Sequence, residues 1–575
     1  MSKIQRKSPA AIIDAEIARA KKLMPNQCDE SDESDTGEPR NDFEVVTNHF
    51  GLDDKKTSIL VFGGNLHDVV DQAEKVLFEK GDYYQRAGMV VTVDTDPEFG
   101  GKRIRVLTKN ALVKDLAVNI NWKRPAQRGG EYDIDPPARH VNVLFDSAVF
   151  KHLNILRSIV RQPYLREDGS LMTNAGYDLA TGVYGVFDES EYNVPEEPTR
   201  EQCIDALAEL HDLLDEFPFQ NPYDRSAALA TILTASIRVS LPAAPLTHVS
   251  APQIASGKSY LCALFCAFAS DTKPSALAFP SSEEECQKHL LATFLEAPAS
   301  IVFDNLTSDL KPFKTLCSAI TEEFIEGRIL GQTKVARVGT RSLLLSSGNN
   351  VGPVRDMTRR TLTIFLDPNM EMPASREFKS DPVQRVRAAR AKYLCAALTI
   401  VRGGITNPEV SGIKTKPIAS FDTWTQLVRK PLIWLGEPDP ATRIFDQQLE
   451  DPDRELAGRL LAAWRSVFGL IPTMVREAVK RVEFNGKNEP ELKEVFLEIA
   501  GSGQDINRQK LGKALSRYEG RVVNGMKLQK VKSNGNAEKW KVFSFDTAIS
   551  IKETPQASVS SVSSDYFDAI ENEIF

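Results

Sequence analysis

Three consecutive residues near the middle of the chain, Gly257, Lys258 and Ser259, have the types and the order that bind phosphate. They lie in the segment LTHVSAPQIASGKSYLCALFCAFA, where an apolar run leads into a loop and the loop leads into a helical apolar stretch. The glycine lets the backbone approach a phosphate, the lysine reaches the β and γ phosphates, and the serine offers its hydroxyl to Mg²⁺. With Ser256 as a further contact, the loop predicts a site for ATP and Mg²⁺.

The phosphate motif departs from its usual form at one position. The pattern G-x-x-x-x-G-K-[ST] requires a glycine where this chain has Pro252, which removes an amide donor and fixes φ. A chance Gly-Lys-Ser loop before a helix is therefore the alternative if no other motif supports it.

A second motif lies 46 residues after Lys258, where the apolar run APASIVFDNL ends in Asp304 and Asn305. The run predicts a buried strand that delivers Asp304 to the edge of a sheet, where it holds Mg²⁺ beside Ser259. Asn305 stands where many such enzymes have the glutamate that activates water. Hydrolysis then needs a different base or a water polarised by Asp304.

A third polar strand end lies a further 45 residues on, where TRSLLLSSGNN ends in Asn349 and Asn350. An asparagine at the tip of a strand between the other two strands can orient the attacking water. A plain asparagine-rich turn is the alternative.

The sequence offers one candidate for the base that would activate water in place of Asn305. Glu285 belongs to an acidic triplet in SSEEECQKHL, and we expect it either to serve as a base or only to stabilise the first turn of a helix.

Arginines follow the third strand. The segment VGPVRDMTRRTLTIFLDPNMEMPASREF places Arg355, Arg359, Arg360 and Arg376 around a short strand, TLTIFLD. In ring ATPases an arginine of one subunit stabilises charge at the phosphate held by its neighbour. Arg359 or Arg360 is the candidate for that role, and Arg376 is the candidate for a sensor within the same subunit. A solvated basic loop is the alternative.

Composition limits the classes of protein that remain. The chain has 575 residues, 42% hydrophobic and 26% charged, which predicts several globular domains and excludes fibrous proteins. It has neither an apolar signal core nor a run of about 18 apolar residues, so we expect a cytoplasmic protein without membrane contact. Its seven cysteines include no C-x-x-C pair, and Cys262 and Cys266 favour core packing over metal binding.

Linkers and periodicity divide the chain into six segments. We expect a helix and an acidic linker over 1–56, and an α+β domain over 57–195 that opens with the strand SILVFGG and the helix HDVVDQAEKVLFEKG. A P-loop ATPase core over 201–400 and a helical region over 401–483 follow. The chain ends with a DNA-binding domain over 486–552 and a flexible tail over 553–575.

The C-terminal domain is basic although the whole chain has a formal charge of −8. Residues 501–552 contain 11 Lys and Arg against 4 Asp and Glu. A helix, INRQKLGKALSRYEG, precedes a hairpin around Asn534 and Gly535, which together predict a winged helix. An exposed cationic surface without DNA is the alternative. The candidate DNA contacts are Arg508, Lys510, Lys513, Arg517, Lys527, Lys530 and Lys532.

Taken together, these blocks resemble the AAA+ helicases and replication initiators of phages and integrative elements, which are related to superfamily 3 and MCM-like helicases. The blocks that carry the resemblance are PYLREDGSLMTNAGYDLATGVY, SSEEE, IVFDNL, EGRILG, SSGNN, DMTRR, SFDTWTQLVRKPLIWLGEPDP and INRQKLGKALSRYEGRVV. The resemblance implies a multidomain α/β protein that uses ATP and Mg²⁺, binds single-stranded or duplex DNA, forms a homo-oligomeric ring, expected to be a hexamer, and works with a primase or other replication proteins.

Two other functions stay open at this point. A DNA-binding scaffold with a nucleotide switch and little turnover is compatible with Pro252 and Asn305. A helicase fused to an active primase has only the D-x-D of Asp94 and Asp96 in its favour, and a polar turn before Pro97 explains that pair as well.

Overall fold

The computed structural model describes residues 56–97, 100–328, 335–370, 378–449, 452–503, 505–532 and 538–545. All of them belong to one compact unit, Lys56–Phe575. The predicted N-terminal helix and acidic linker before residue 56, the C-terminal tail, the turn at Asn534 and Gly535, and Arg376 lie outside the described residues. Within these ranges no helix is both long enough and apolar enough to cross a bilayer.

The first region mixes strands and helices, and it opens with a strand and a helix where the sequence predicts them. Its elements are β1 (Thr57–Leu60), α1 (Leu66–Lys80), β2 (Tyr83–Arg86), β3 (Met89–Thr95), β4 (Lys102–Val106), α2 (Lys109–Asn119), β5 (Ile120–Pro125), β6 (Glu131–Asp133) and α3 (Ala138–Asp146). One sheet has the order β1-β5-β6 and another the order β2-β3-β4. A set of buried apolar residues, the first of them Ile59 and the last Leu153, forms the hydrophobic core of the first sheet.

Short strands connect this region to the centre of the molecule. They are β7 (Ser158–Val160), β8 (Tyr164–Leu165), β9 (Leu171–Met172), β10 (Gly176–Asp178) and β11 (Val183–Gly185), and a 3₁₀ turn, Glu189–Glu191, follows them. Strand β11 pairs parallel with β7 and antiparallel with β10. Leu165 of β8 belongs to the hydrophobic core of the central region, whereas Val160, Tyr164 and Val183 form a small core of their own.

A five-stranded sheet forms the centre of the molecule. Its region contains α4 (Arg200–Leu214), α5 (Pro222–Ile237), β12 (Leu246–Ala251), α6 (Lys258–Ala269), β13 (Ser275–Ala276), α7 (Glu283–Glu296), β14 (Ser300–Leu306), α8 (Lys314–Thr321), β15 (Phe324–Arg328), β16 (Val335–Gly339), β17 (Leu343–Asn349) and β18 (Thr361–Phe365). The strand order is β13-β14-β17-β12-β18, and every pair is parallel. Parallel sheets are covered on both faces, which is why every residue of β12 is buried.

Helices after the sheet belong to the same core. They are α9 (Pro382–Ala388), α10 (Arg390–Thr406), α11 (Pro408–Ser411), α12 (Asp422–Trp424), α13 (Lys430–Trp434) and α14 (Thr442–Leu449), with a π-helical turn at Thr425–Arg429. Trp424 is fully buried and donates its indole N–H to the Thr234 hydroxyl at 2.8 Å. The predicted helical region therefore packs against the sheet domain up to about Ile444.

The C-terminal module has a core of its own. It comprises α15 (Pro452–Phe468), α16 (Val475–Asn485), α17 (Pro490–Ala500), β19 (Gly501–Ser502), β20 (Asp505–Ile506), α18 (Arg508–Tyr518), β21 (Val522–Val523), β22 (Met526–Lys532) and β23 (Glu538–Ser544). Its core contains Ala457, Trp464 and Val479 together with Trp540, so α15 and α16 pack with the basic segment. The predicted break at 486–490 falls inside this core, at the turn between α16 and α17.

The six cysteines in the described ranges carry free thiols. Cys262 and Cys266 are buried on α6, and burial raises the pKa of Cys266 to about 11. A thiol this reluctant to ionise is a poor metal ligand, because metals bind the thiolate. Both residues serve as core packing, as the sequence favours.

Candidate nucleotide and DNA sites

The predicted phosphate loop lies between the carboxyl end of β12 and the start of α6 at Lys258. Gly257 has φ +94°, a left-handed conformation that glycine adopts without strain. A side chain at this position would find no heavy atom closer than the Phe217 ring at 3.9 Å, so the space above the glycine is open. The Ser256 hydroxyl is buried and donates to the Gln253 carbonyl at 2.6 Å, so it braces the loop from within.

Lys258 is a buried cation with neutral hydrogen-bond partners. Its Nζ donates to Asn349 Oδ1 at 2.6 Å and to the Gln253 carbonyl at 3.2 Å, and the residue is 8% exposed. Burial lowers the pKa of this ammonium group, while the carboxylate of Asp304 opposes the shift. A buried ammonium group that bonds only to neutral oxygens favours an anion beside it.

Asp304 and Ser259 meet as predicted. The Ser259 hydroxyl donates to Asp304 Oδ1 at 3.0 Å, although the two residues belong to different elements, α6 and β14. The same oxygen accepts the hydroxyl of Ser347 and the backbone N–H of Asn305, the latter at 3.0 Å. Ser347 was not predicted, and its only sequence signal is that it stands two residues before the strand tip.

The backbone explains the residue type at position 305. Asn305 has φ +56°, in the left-handed region where asparagine is several-fold enriched and longer side chains are rare. The register between β14 and β17 shifts between Phe303 and Leu306, which is the irregularity that turns Asn305 out of the ladder. Asn305 is exposed beside Asp304.

The two asparagines at the tip of β17 have different surroundings. The structure places β17 between β12 and β14, as the sequence predicts, and Asn349 faces Lys258. Asn350 has φ +50°, and its side-chain amide donates to the Pro252 carbonyl at 3.2 Å. Asn350 therefore braces the start of the phosphate loop, and Asn349 contacts the lysine that follows the loop.

Glu285 has other partners. Its carboxylate accepts the Ser281 N–H at 3.0 Å and the Ser281 hydroxyl at 2.7 Å, and these bonds lower its pKa. The residue lies in the first turn of α7, whose positive end favours an acid. A carboxylate with a lowered pKa is a weaker base, so the helix-stabilising alternative describes Glu285 better.

Two of the arginines that follow β17, Arg359 and Arg360, share the carboxylate of Asp356. Arg359 Nε lies 2.6 Å from Asp356 Oδ1, and Arg360 pairs with the other oxygen of the same group. The side chain of Arg359 is 38% exposed, but that of Arg360 is only 11% exposed. Of the two candidates, Arg359 is the one that solvent or a second subunit can reach.

A cavity of about 520 Å³ adjoins the phosphate loop. The Phe217 and Tyr260 rings stack along it at 6.3 Å between centroids, and the Tyr260 hydroxyl donates to Asp381, the N-cap of α9. Neither aromatic residue was predicted as part of the site. Aromatic walls beside a phosphate loop have the size and the chemistry to hold the base of a nucleotide.

The described residues contain no cluster of three or more His, Cys, Asp or Glu side chains that would form a complete metal cage. The one carboxylate of Asp304 and the hydroxyl of Ser259 fit Mg²⁺, which takes one or two protein ligands and fills its other positions with water and phosphate oxygens. The residues present therefore fit a magnesium nucleotide.

The D-x-D pair is neutralised within the chain. Asp96 accepts a bond of 2.6 Å from Arg103, and Asp94 pairs with Arg105, both arginines being on the neighbouring strand β4. Cross-strand ion pairs use the carboxylates that a polymerase metal site would need. Asp94 lies on β3 and Asp96 directly after it, and their ion pairs account for both residues without a metal.

The helix α18 presents the predicted basic residues to solvent. Lys510 and Lys513 are exposed, while Leu511 and Leu515 are fully buried on its other face. Asn507 caps the helix by accepting the backbone N–H groups of Gln509 and Lys510 at 3.0 Å. This face is a cationic surface of one helix.

The other predicted DNA contacts are partly paired within the chain. Arg517 bonds to Asp453 at 2.9 Å, Arg508 lies 4.0 Å from Glu483, and Lys530 lies 3.2 Å from Glu538. Lys527 is half-buried on β22 and Lys532 ends that strand. The strands β22 and β23 form the predicted antiparallel hairpin, anchored by the buried Trp540.

Neither a protein-family model nor a curated protein matches this chain. Among solved structures, the chain is similar to the apo form of the NrS-1 C-terminal region, with 11% identity and a TM-score of 0.37 over 82% of this chain and 98% of that one. It is also similar to JCV helicase, with 13% identity and a TM-score of 0.19 over 42% of this chain and 73% of that one. These similarities are too low to assign a function to this chain.

Proposed function

We propose that this protein is an ATP-driven DNA helicase or replication initiator that works as a ring of identical subunits. The observation that carries the proposal is the convergence of Lys258, Ser259, Asp304 and Asn349 at the carboxyl edge of one parallel sheet. Ligands of open α/β sheets bind at that edge. These residues come from three elements, the start of α6, the end of β14 and the end of β17, and each has the chemistry that a magnesium nucleotide requires.

The roles follow from the contacts. Lys258 neutralises phosphate charge, and a phosphate oxygen replaces one of its present neutral partners. Ser259 and Asp304 hold Mg²⁺, which polarises the phosphate when it is bound. Asn349, already 2.6 Å from Lys258 Nζ, is placed to orient the attacking water. Phe217 and Tyr260 pack against the base.

The sheet supports an AAA+ type of core. Strand β17 lies between β12, which leads into the phosphate loop, and β14, which carries Asp304. This order brings a third polar strand tip between the other two, which is the arrangement that the resemblance to AAA+ initiators implies.

DNA binding is assigned to the C-terminal module as a winged helix. Lys510 and Lys513 on α18 provide a cationic face, and the hairpin β22–β23 provides the wing. A helix of this kind reads the major groove while a wing lies against phosphates. We therefore expect DNA to contact a module whose hydrophobic core is separate from the core beneath the ATP site.

One observation favours a second candidate, a DNA-binding switch with little turnover. Asn305 takes the place of a water-activating glutamate, and its left-handed backbone resists a longer side chain. A protein that lacks a strong base can bind ATP and change conformation without rapid hydrolysis.

The test is steady-state ATPase activity with and without single-stranded DNA, followed by unwinding of a forked duplex. The proposal predicts DNA-stimulated turnover that Lys258→Ala lowers by about a hundredfold or more, because the main neutralising charge is lost. Lys75→Ala, on the exposed face of α1, is the matched control and keeps wild-type turnover. ATP binding with no stimulated turnover would instead establish the switch, and turnover that survives Lys258→Ala would remove the assigned site.

A further inference from the structure

A second cavity, of about 290 Å³, lies at the opposite edge of the central sheet. Its walls include Ala299 and Ser342, which directly precede β14 and β17. The phosphate loop lies at the carboxyl ends of the same strands. A seven-residue strand is about 20 Å long, so the two cavities are separated by roughly that distance.

The lining of this cavity is strongly cationic. It contains one acidic side chain, Glu323, and no lysine. It contains six arginines, which are Arg86, Arg157, Arg161, Arg238, Arg337 and Arg341. Glu323 pairs with Arg341, and two acids outside the wall, Asp271 and Glu326, lie 3.6 and 3.5 Å from Arg161 and Arg337. The remaining three, Arg86, Arg157 and Arg238, have no carboxylate partner among the described residues.

Two of these guanidinium groups are buried and bonded only to neutral carbonyls in the contacts described. Arg86 is 6% exposed and donates to the carbonyls of Phe294 and Leu295 at 2.6 and 2.8 Å. Arg238 is 4% exposed and donates to the carbonyls of Thr340 and Ser342 at 2.8 and 3.0 Å.

Burial lowers the pKa of Arg86 to about 10 and that of Arg238 to about 9, since each charge has lost its solvent. The carbonyl end of α7 offsets part of the Arg86 charge, because Phe294 and Leu295 lie in the last turn of that helix. No carboxylate among the described residues pairs with either group. Buried charge that lacks a counter-charge is expensive, which favours an anion in the cavity.

The outer part of the wall supplies further donors. Arg157 is exposed and forms no ion pair among the residues that the structure describes. The adjacent Ser158 hydroxyl is buried and has no hydrogen-bond partner in the structure. Buried polar groups are rarely left unsatisfied, so an orphaned hydroxyl beside a group of arginines is itself an indication of a missing ligand.

We propose that this cavity binds a small phosphate-bearing anion, such as phosphate, pyrophosphate or the phosphate end of a nucleotide. Arginine is the side chain best suited to such a ligand, because its planar fork matches two phosphate oxygens at once. The cavity volume is at the lower end of ligand pockets, which favours a compact anion over a whole cofactor. The bound anion joins the N-terminal region, through Arg157 and Ser158, to the middle of β16, through Arg337.

The test uses the full chain carrying Lys258→Ala, so that the phosphate loop does not compete for the probe. Sodium pyrophosphate is titrated in a calorimeter, with sodium chloride at equal ionic strength as the reference. The expected result is saturable binding at one site, which Arg157→Gln weakens tenfold or more because a charge-assisted hydrogen bond is lost. The matched control, Arg139→Gln on the exposed start of α3, binds as tightly as its parent.

Two further arms define the ligand and protect the test against misfolding. ADP should compete with pyrophosphate while adenosine does not, which separates recognition of phosphate from recognition of a base. If Arg157→Gln does not fold, Ser158→Ala takes its place, and hydrogen exchange should show pyrophosphate protecting residues 155–162 and 336–342 in the parent. Absence of saturable binding, or equal weakening by Arg157→Gln and Arg139→Gln, overturns the proposal.

Discussion

The phosphate loop and the C-terminal module use positive charge in opposite ways. At the loop, one ammonium group, that of Lys258, is buried and held by two hydrogen bonds to neutral oxygens. On α18, Lys510 and Lys513 stand in solvent. The first arrangement is suited to a ligand that is held in one fixed position. The second is suited to a polyanion such as DNA, along which the protein can slide.

This difference predicts how each region responds to mutation. A buried charge acts in a low dielectric, so its loss costs orders of magnitude in rate. An exposed charge acts through water and salt, so its loss costs little by itself and depends on ionic strength. The contrast can be tested at Arg359, at His248 in the sheet beneath the loop, and at Lys513 on the exposed helix.

The largest effect is expected from Arg359. Its half-exposed side chain follows the strand tip of Asn349, and we propose that it reaches the nucleotide of a neighbouring subunit. Arg359→Ala should lower turnover about a thousandfold while ATP still binds, since arginine fingers act on the transition state. ATPase assays and equilibrium ATP binding on the same preparation measure the two properties.

Mixing identifies whether Arg359 acts between subunits. A Lys258→Ala subunit keeps its arginine and lacks a working site, while an Arg359→Ala subunit keeps its site. Mixed rings should therefore exceed the sum of the two separate activities. Arg360→Ala should instead lower the thermal midpoint, because Arg360 is buried against Asp356. Wild-type turnover in Arg359→Ala, or mixtures that never exceed the sum, would remove the ring argument.

Sequence patterns predicted those parts of the site that are local in the chain. Each strand tip and the glycine-lysine-serine turn could be read from an apolar run that ends in polar residues. The pattern could not show which of the two asparagines contacts Lys258. Asn349 does so, whereas Asn350 turns back to Pro252 because its φ is positive.

Two other contacts between residues that are distant in sequence were also missed. The stacked pair Phe217 and Tyr260 is formed by residues of ordinary core type, which carry no signal of a ligand. The bond from Arg517 to Asp453 spans 64 residues and crosses the predicted domain break. Hydrophobic periodicity shows which face of a helix is buried, but it does not show against which core that face packs. For this reason α15 and α16 were predicted to lie outside the C-terminal module.

A second prediction concerns His248, which lies within the sheet beneath the phosphate loop. It is fully buried on β12, with Nδ1 2.9 Å from the Ser346 hydroxyl and Nε2 2.8 Å from the Val351 carbonyl. The carbonyl can only accept, so Nε2 carries a proton, and in the neutral ring Nδ1 accepts the Ser346 hydroxyl. Burial lowers the pKa of His248 to about 4.

The sign of the pH effect follows from that shift. Between about pH 6.5 and 4 the unfolded chain binds a proton at His248 and the folded chain does not, so stability falls as the pH falls through this window. The loss amounts to about 3 kcal/mol in the free energy of unfolding. Urea titrations across this range should show it in the wild type, and His248→Gln should remove that portion. The control His67→Gln, exposed on α1, should follow the wild-type curve.

The smallest effect is expected at Lys513 on α18. Lys513→Ala should weaken binding of duplex DNA by the full chain a few-fold and reduce the slope of log affinity against log salt by about one, since one phosphate contact is lost. Arg517→Ala is the matched comparison on the same helix. Its guanidinium is held by Asp453 at 2.9 Å, so its removal should change the salt slope less than Lys513→Ala does. Fluorescence anisotropy between about 50 and 200 mM salt measures both slopes. If affinity is indifferent to salt, or if Arg517→Ala reduces the slope more than Lys513→Ala, the exposed face of α18 does not contact DNA phosphates and the contrast with the phosphate loop fails.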